Sequence, residues 1–323
     1  MKRGNVFFRV DGSAQIGLGH IVRCIALADM LKDDFDIHFF CKEIPENLEA
    51  SVSNEGFGIT RLMSEYDFFK VLNGEEIVVL DNYFFDSEYQ KSIKSKGNRL
   101  IYIDDINDKE FYADLIINIS PGIRKSAYQA QAYTNFALGL KYALLRPSFL
   151  LRSGKNKTNP DSNKTLICLG GSDTSNKTLD VLKRLKNTFE TLSIVVVVGV
   201  SYPFLDELKN YISKLTVSNT IEVYHNVNEL FLSQLMSECS LAICSPSTVS
   251  IEYLSVTKGL LFLLLTADNQ EQWYNYALSK KLAYEFSENN IRKYRELKSD
   301  HSLQDKLLDG NQRKRFIKLL RQL

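Results

Sequence analysis

Of the four histidines in this 323-residue chain, one stands where a ligand could use it. It is His20, in the run Arg9-Val10-Asp11-Gly12-Ser13-Ala14-Gln15-Ile16-Gly17-Leu18-Gly19-His20-Ile21-Val22-Arg23-Cys24. An apolar strand leads into a glycine-containing turn and then a helix with Ile21, Ile25 and Ala28 among its apolar positions. Gly17 and Gly19 let backbone approach a ligand closely. His20 falls near the helix N-terminus, whose positive end disfavours imidazolium and keeps the ring able to accept a proton. A histidine at such a turn also serves as a plain cap or packing group. A lone G-x-G is not the full dinucleotide fingerprint, so spacing alone leaves both roles open. His38 inside an apolar strand, His225 after one, and His301 are expected to be structural.

Other strand ends carry polar groups of the right kind for a phosphorylated ligand. Cys168-Leu169-Gly170-Gly171-Ser172-Asp173 ends a strand with two glycines. It offers backbone to a phosphate or base, or makes an ordinary strand-to-helix turn. Cys244-Ser245-Pro246-Ser247-Thr248-Val249-Ser250-Ile251-Glu252 ends a strand and opens a helix, where free N–H groups and hydroxyls form an anion site or a common Ser/Thr cap. Glu252 would lie just over one turn inside, placed to accept hydrogen bonds from ribose hydroxyls. Ala267-Asp268-Asn269-Gln270 repeats the strand-end pattern with side-chain amides. Asp81-Asn82-Tyr83 and Asp104-Asp105 also follow strands. Adjacent acids can hold a divalent cation, but neither a D-x-D triplet nor a His/Cys cluster accompanies them. Contacts to substrate hydroxyls, or loop structure, are expected instead.

These residues need a scaffold that presents strand ends, and the chain supplies one. Val6–Val10, Ile37–Cys41, Ile77–Leu80, Leu100–Ile103 and Leu115–Ile119 read as strands, mostly apolar on both faces, as in parallel sheets covered by helices. After the breaker-rich stretch 153–163, a second series begins with Leu166–Leu169, Ile194–Val198, Ile221–Tyr224, Leu241–Cys244 and Leu260–Leu265. Helical patterns intervene at 176–190, 203–215, 228–239, 247–258 and 270–281. The expected fold is α/β, with two Rossmann-like doubly wound domains facing a cleft. Residues 1–152 form an N-terminal domain with the His20 loop, 164–286 a nucleotide-binding domain, and 287–323 a helical extension. Ligand is expected at the carboxyl ends of the strands. The basic tail Arg313-Lys314-Arg315-Phe316-Ile317-Lys318-Leu319-Leu320 is expected to pack on the body through its apolar residues.

Forty basic residues against thirty-nine acidic ones remove the electrostatic case for a general nucleic-acid or membrane-surface binder. The longest aliphatic run, Leu260-Leu261-Phe262-Leu263-Leu264-Leu265, is far short of a spanning helix. The start lacks the long apolar core of a signal peptide. Five cysteines without CxxC spacing suit buried free thiols in a reducing compartment. A cytoplasmic protein, expected to be a monomer, follows from this reading.

Taken in order, these pieces resemble the UDP-2,4-diacetamido-2,4,6-trideoxy-β-L-altropyranose hydrolases of pseudaminic acid biosynthesis, relatives of GT-B glycosyltransferases. The matching pieces are Arg9-x-Asp11-x-Ser13 with Ile16-Gly17-x-Gly19-His20, Asp81-x-Tyr83, Asp104-Asp105, and Gly139-x-x-Tyr142-Ala143-Leu144-x-Arg146. Cys168-x-Gly170-Gly171-x-Asp173, Ser247 to Glu252, and Asn269-Gln270 complete the series, which reaches to about Phe286. The resemblance implies an enzyme without metal or other cofactor that uses water to cleave a UDP-sugar at C1 with inversion. The products would be UDP and free 2,4-diacetamido-2,4,6-trideoxy-L-altrose. It places His20 on the catalytic base and Tyr83 and Asn269 near the sugar. Arg9, Asp11, Gly17, Gly19 and Gln270 join the substrate site, and Gly170, Gly171, Ser247, Thr248 and Glu252 hold the nucleotide. The main rival is a GT-B glycosyltransferase with a UDP-sugar donor. A non-catalytic sugar-nucleotide binder and a UDP-sugar 2-epimerase rank lower.

Overall fold

The computed structural model describes residues 4–323 apart from 14–16, 161–162, 172, 189–192, 216–219 and 268–269. Two compact units emerge, Met1–Pro147 with Asn311–Leu323, and Ser148–Gly310.

The first unit runs β1 (Gly4–Val10), α1 (Gly19–Leu31), β2 (Phe35–Cys41), α2 (Glu46–Asn54), β3 (Gly58–Arg61), α3 (Glu65–Val71) and β4 (Ile77–Asp81). It continues with α4 (Ser87–Ser95), β5 (Arg99–Ile103), β6 (Glu110–Phe111), β7 (Leu115–Asn118), β8 (Gln129–Ala130) and β9 (Asn135–Leu138). Seven strands form a parallel sheet in the order β3-β2-β1-β4-β5-β7-β9, and β6 pairs with β8 beside it. All five residues of β4 are buried, as a central strand covered on both faces requires. Because β1 neighbours both β2 and β4, the chain reverses its direction of winding there. Ligands of open α/β sheets bind at the carboxyl ends of the strands at such a reversal.

The second unit begins within α5 (Pro147–Arg152) and continues with β10 (Lys164–Cys168), α6 (Lys177–Thr188), β11 (Ser193–Val198), α7 (Leu205–Ser213), β12 (Ile221–His225), α8 (Glu229–Glu238) and β13 (Leu241–Cys244). Then come α9 (Thr248–Val256), β14 (Leu260–Leu263), α10 (Glu271–Ser279), β15 (Tyr284–Glu285), α11 (Glu288–Arg292) and α12 (His301–Leu307). Its six-stranded parallel sheet is ordered β12-β11-β10-β13-β14-β15, with the winding reversal between β10 and β13, where Cys168 pairs Cys244.

The division falls at Pro147, ahead of the breaker-rich stretch, part of which is ordered in the second unit: Thr158 N–H donates to Val256 O at 3.0 Å. The stretch 287–323 is shared between the units. Gln304 Nε2 donates to the carbonyls of Leu254 (2.6 Å) and Thr257 (2.7 Å), fixing α12 to the second unit. The last helix, α13 (Gln312–Leu320), instead packs on α1 of the first. Phe316 and Leu320 are buried there, and Phe316 meets Tyr142 edge-on at 5.8 Å. Arg313 clamps the far end of α1, donating to Met30 O at 3.1 Å and pairing with Asp33 at 2.8 Å. The five cysteines are free and buried. Among the described residues no helix is long and apolar enough to cross a membrane.

Candidate active site

Gly17 sits at φ +89°, a left-handed conformation that glycine adopts without strain, and its N–H donates to Ser13 O at 2.8 Å. This turn closes the loop between β1 and α1. A side chain built at Gly17 or Gly19 would meet nothing within 4 Å, so both faces are open to a ligand. Gly19 is the first residue of α1, and Leu18 before it brings no capping side chain.

His20 is the second helical residue and only 6% exposed. Its Nδ1 lies 2.7 Å from Oδ1 of Asp81, the last residue of β4. Parallel pairing puts Asp81 beside Val10, which brings it under the first turn of α1. A contact that short to a carboxylate requires the proton on Nδ1, so in the neutral ring Nε2 is the acceptor. Burial alone would push the Asp81 carboxyl up. The Arg23 guanidinium, with help from His20, outweighs burial and holds it below its ordinary value. Arg23, one turn along α1, donates from Nε to Asp81 Oδ2 (2.6 Å), from Nη2 to Asp81 Oδ1, and from Nη1 to Asp105 Oδ2 (3.0 Å).

Tyr83 completes the cluster. It is 48% exposed, its ring stands edge-on to His20 at 4.8 Å, and its hydroxyl donates to Asp105 Oδ2 at 3.1 Å. Burial and the charge of Asp105 push the phenol up to about 12, so it remains a neutral donor. Lys109 Nζ anchors the loop by donating to Tyr83 O at 3.0 Å.

Arg9 and Asp11 lie outside this cluster. Arg9 is 0% exposed, paired with Asp11 at 2.8 Å and forked onto Glu65 at 2.6 and 3.1 Å. Asp11 accepts from the N–H groups of Lys42 (2.6 Å) and Glu43 (3.1 Å). The pair braces the loop after β2, with Arg9 held by Asp11 and Glu65.

In the second unit the loops at the β10/β13 reversal carry the other predicted residues. Gly170 has φ +103°, and a side chain at Gly171 would meet nothing within 4 Å. Gly199 packs directly on the Gly171 backbone, fixing this loop from behind. Ser247 precedes α9, but its hydroxyl contacts that of Ser245 at 2.9 Å and does not cap the helix. Thr248 is exposed at the first helical position, and Glu252 is 2% exposed, just over one turn inside. Trp273 Nε1 donates to Ser250 Oγ at 2.8 Å, tying α10 to α9. Gln270 turns inward: its Oε1 accepts from Thr266 N–H (2.9 Å) and Ala267 N–H (3.3 Å), stapling the loop after β14. Asn269 lies outside the described residues.

The neighbouring acids are partly engaged. Asp104 accepts from Tyr128 Oη (2.8 Å) and Asn107 N–H (3.0 Å), while Asp105 serves Arg23 and Tyr83. Among the described residues, no group of three or more His, Cys, Asp or Glu side chains is placed to hold a metal ion. Sequence reasoning singled out His20 and Tyr83 but gave Asp81 no specific role and Arg23 none. The available signal was the His-x-x-Arg spacing, which puts both side chains on one face of α1.

No family model matches the chain. It is 28% identical over 289 residues to the UDP-2,4-diacetamido-2,4,6-trideoxy-β-L-altropyranose hydrolase of Campylobacter jejuni, covering 87% of this chain and 98% of that protein. A Methanocaldococcus jannaschii protein of uncharacterised function, MJ1062, is 29% identical over 258 residues, covering 76% of this chain. The match spans about half, 52%, of that archaeal protein. Among solved structures, a glycosyltransferase from Rickettsia africae aligns with TM-score 0.61 at 12% identity, covering 99% of this chain and 98% of that one. Anabaena Alr3699/HepE in complex with UDP-glucose aligns with TM-score 0.55 at 12% identity, covering 99% and 100%. The fold is therefore that of GT-B glycosyltransferases, with two Rossmann-like sheets.

Proposed function

We propose that this chain, a homologue of the UDP-2,4-diacetamido-2,4,6-trideoxy-β-L-altropyranose hydrolase and a relative of nucleotide-sugar-processing enzymes, itself hydrolyses a UDP-sugar at C1. The observation that carries the reading is the 2.7 Å contact between His20 Nδ1 and the buried Asp81. It fixes the tautomer and leaves Nε2 to take a proton from water. The activated water attacks C1 as the C1–O bond breaks, the bonding pair leaves on UDP, and the anomeric configuration inverts. The transition state is oxocarbenium-like, and the departing diphosphate already carries its charge well. Protonating the leaving group therefore matters less than stabilising its charge, which backbone N–H groups at the start of α9 and at Gly170 and Gly171 can do. Glu252 would accept from the ribose hydroxyls. Tyr83, neutral and half exposed beside His20, donates its proton to Asp105 and would accept from a sugar hydroxyl, and Asn269 is assigned to the same sugar by the family resemblance. The sugar is proposed to be the 2,4-diacetamido-2,4,6-trideoxy-L-altrose of pseudaminic acid biosynthesis, in a cytoplasmic, monomeric enzyme.

A transferase would use the same base on an acceptor hydroxyl. Exposed Met63, Tyr66 and Phe84, near the carboxyl ends of β3 and β4, would suit an apolar acceptor. The two readings separate when pure protein is incubated with a panel of UDP-sugars without acceptor. The hydrolase releases UDP and free sugar, followed by NMR. A protein that turns over only when an acceptor alcohol is added is a transferase.

A further inference from the structure

We infer that Arg23 is a positioning residue that keeps His20 in its neutral, proton-accepting state by sharing the charge of Asp81 with it. This rests on the assignment of His20 as the base. A buried carboxylate touching Nδ1 would by itself favour imidazolium, the wrong state for a base. Here the same carboxylate is also gripped through both oxygens by Arg23. Arg23 Nη2 lies 3.0 Å from His20 Nδ1, and with a proton on Nδ1 the two N–H groups oppose each other. A second proton on the ring would set imidazolium against guanidinium at that separation, an unfavourable pairing in a site with little water. Asp105 balances the guanidinium from the other side at 3.0 Å, so removing Asp105 and removing Arg23 should act in opposite directions.

The remaining groups around His20 do not carry this charge balance. Cys24, on α1 itself, contacts Asp81 Oδ2 at 3.5 Å, and burial together with Asp81 pushes its thiol well above the usual range. Cys41 at the end of β2 is pushed up to about 12, chiefly by burial. Tyr83 stays a neutral phenol. Arg9, near the end of β1, is paired with both Asp11 and Glu65. From α13, Arg313 is paired with Asp33 and Asp34 at the opposite end of α1.

The test is an NMR titration of the imidazoles in isotope-labelled full-length protein, with the His20 signal identified by its loss in His20→Asn. Arg23→Gln should move the His20 midpoint to higher pH by roughly one unit, and Asp105→Asn should move it lower. In a hydrolytically active protein, the acid limb of the turnover profile should move with each midpoint. A midpoint unmoved in Arg23→Gln overturns the role of Arg23, whatever the hydrolysis assay shows. Both displacements in a protein that releases no UDP support it and sink the hydrolase reading instead. If Arg23→Gln does not fold, Asp105→Asn decides alone: a lowered midpoint supports the role, and an unmoved or raised one overturns it.

Discussion

At the scale of single residues, the proposed chemistry turns on one imidazole whose tautomer is set by a neighbour 61 positions away in sequence. His20→Asn keeps a polar side chain of similar size, so fold and UDP affinity should persist while turnover falls by roughly 100-fold to 10,000-fold. Folded His20→Asn protein hydrolysing at near wild-type rate would return His20 to a packing role. Asp81 makes a separate pH prediction about stability. Its folded carboxyl titrates below its ordinary value, so its contribution is present above the usual carboxylate range and lost as pH falls through the folded value. Urea unfolding of Asp81→Asn should show a smaller loss of stability than wild type between neutral and strongly acid pH. An identical loss in both proteins would mean that Asp81 contributes nothing to acid sensitivity. His20 was legible in the sequence because a glycine turn and a helix start surround it. Asp81 was visible as a strand-end acid, but its partner was not, since the contact exists only because β1 and β4 are neighbours. The ion pair between Arg9 at the end of β1 and Asp11 just past it is a local contact that the two-residue spacing allows.

At the scale of elements, the strand-to-helix junctions place the polar groups and the sheet edges were the least legible part. Strands buried on both faces announce themselves as apolar runs, and the central ones fell where expected. β3, β9 and β15 did not, because edge strands are short and carry mixed residues, as in Gly58-Ile59-Thr60-Arg61. The start of α9 carries a prediction. Glu252 is buried near the end of that helix proposed to face the nucleotide, and a hydrogen bond from ribose to a buried carboxylate is worth about 2 kcal/mol. Glu252→Ala should weaken UDP binding by that amount in calorimetry, and an unchanged dissociation constant would leave Glu252 a structural role alone. The closing helix α13 carries another. Phe316 is fully buried against the first unit, so Phe316→Ala should cost about 3–5 kcal/mol in unfolding free energy. A cost below about 1 kcal/mol, the size of an ordinary surface change, would show that α13 contributes little to that unit.

At the scale of the whole molecule, the two units divide the proposed labour. One carries the base and its buried charge network, the other the glycine turns and the α9 start that would receive phosphate. Neither offers a cation a natural seat among the described residues. The adjacent pair Asp104-Asp105 has the right chemistry for magnesium, yet one oxygen of each is engaged within the first unit. Asp104 receives the Tyr128 hydroxyl and the Asn107 N–H, and one Asp105 oxygen receives both Arg23 and Tyr83. Burial moreover raises the Asp104 carboxyl above its ordinary value, which weakens it as a hard-cation ligand. A magnesium ion on Asp105 would sit against the Arg23 guanidinium, which balances Asp81 beside the base. Backbone N–H groups would offer the departing diphosphate the same compensation without that repulsion. UDP release should therefore survive EDTA, and added magnesium should leave the rate unchanged. Loss of activity in EDTA with recovery on magnesium addition would overturn this division and make Asp104 and Asp105 the first ligands to test.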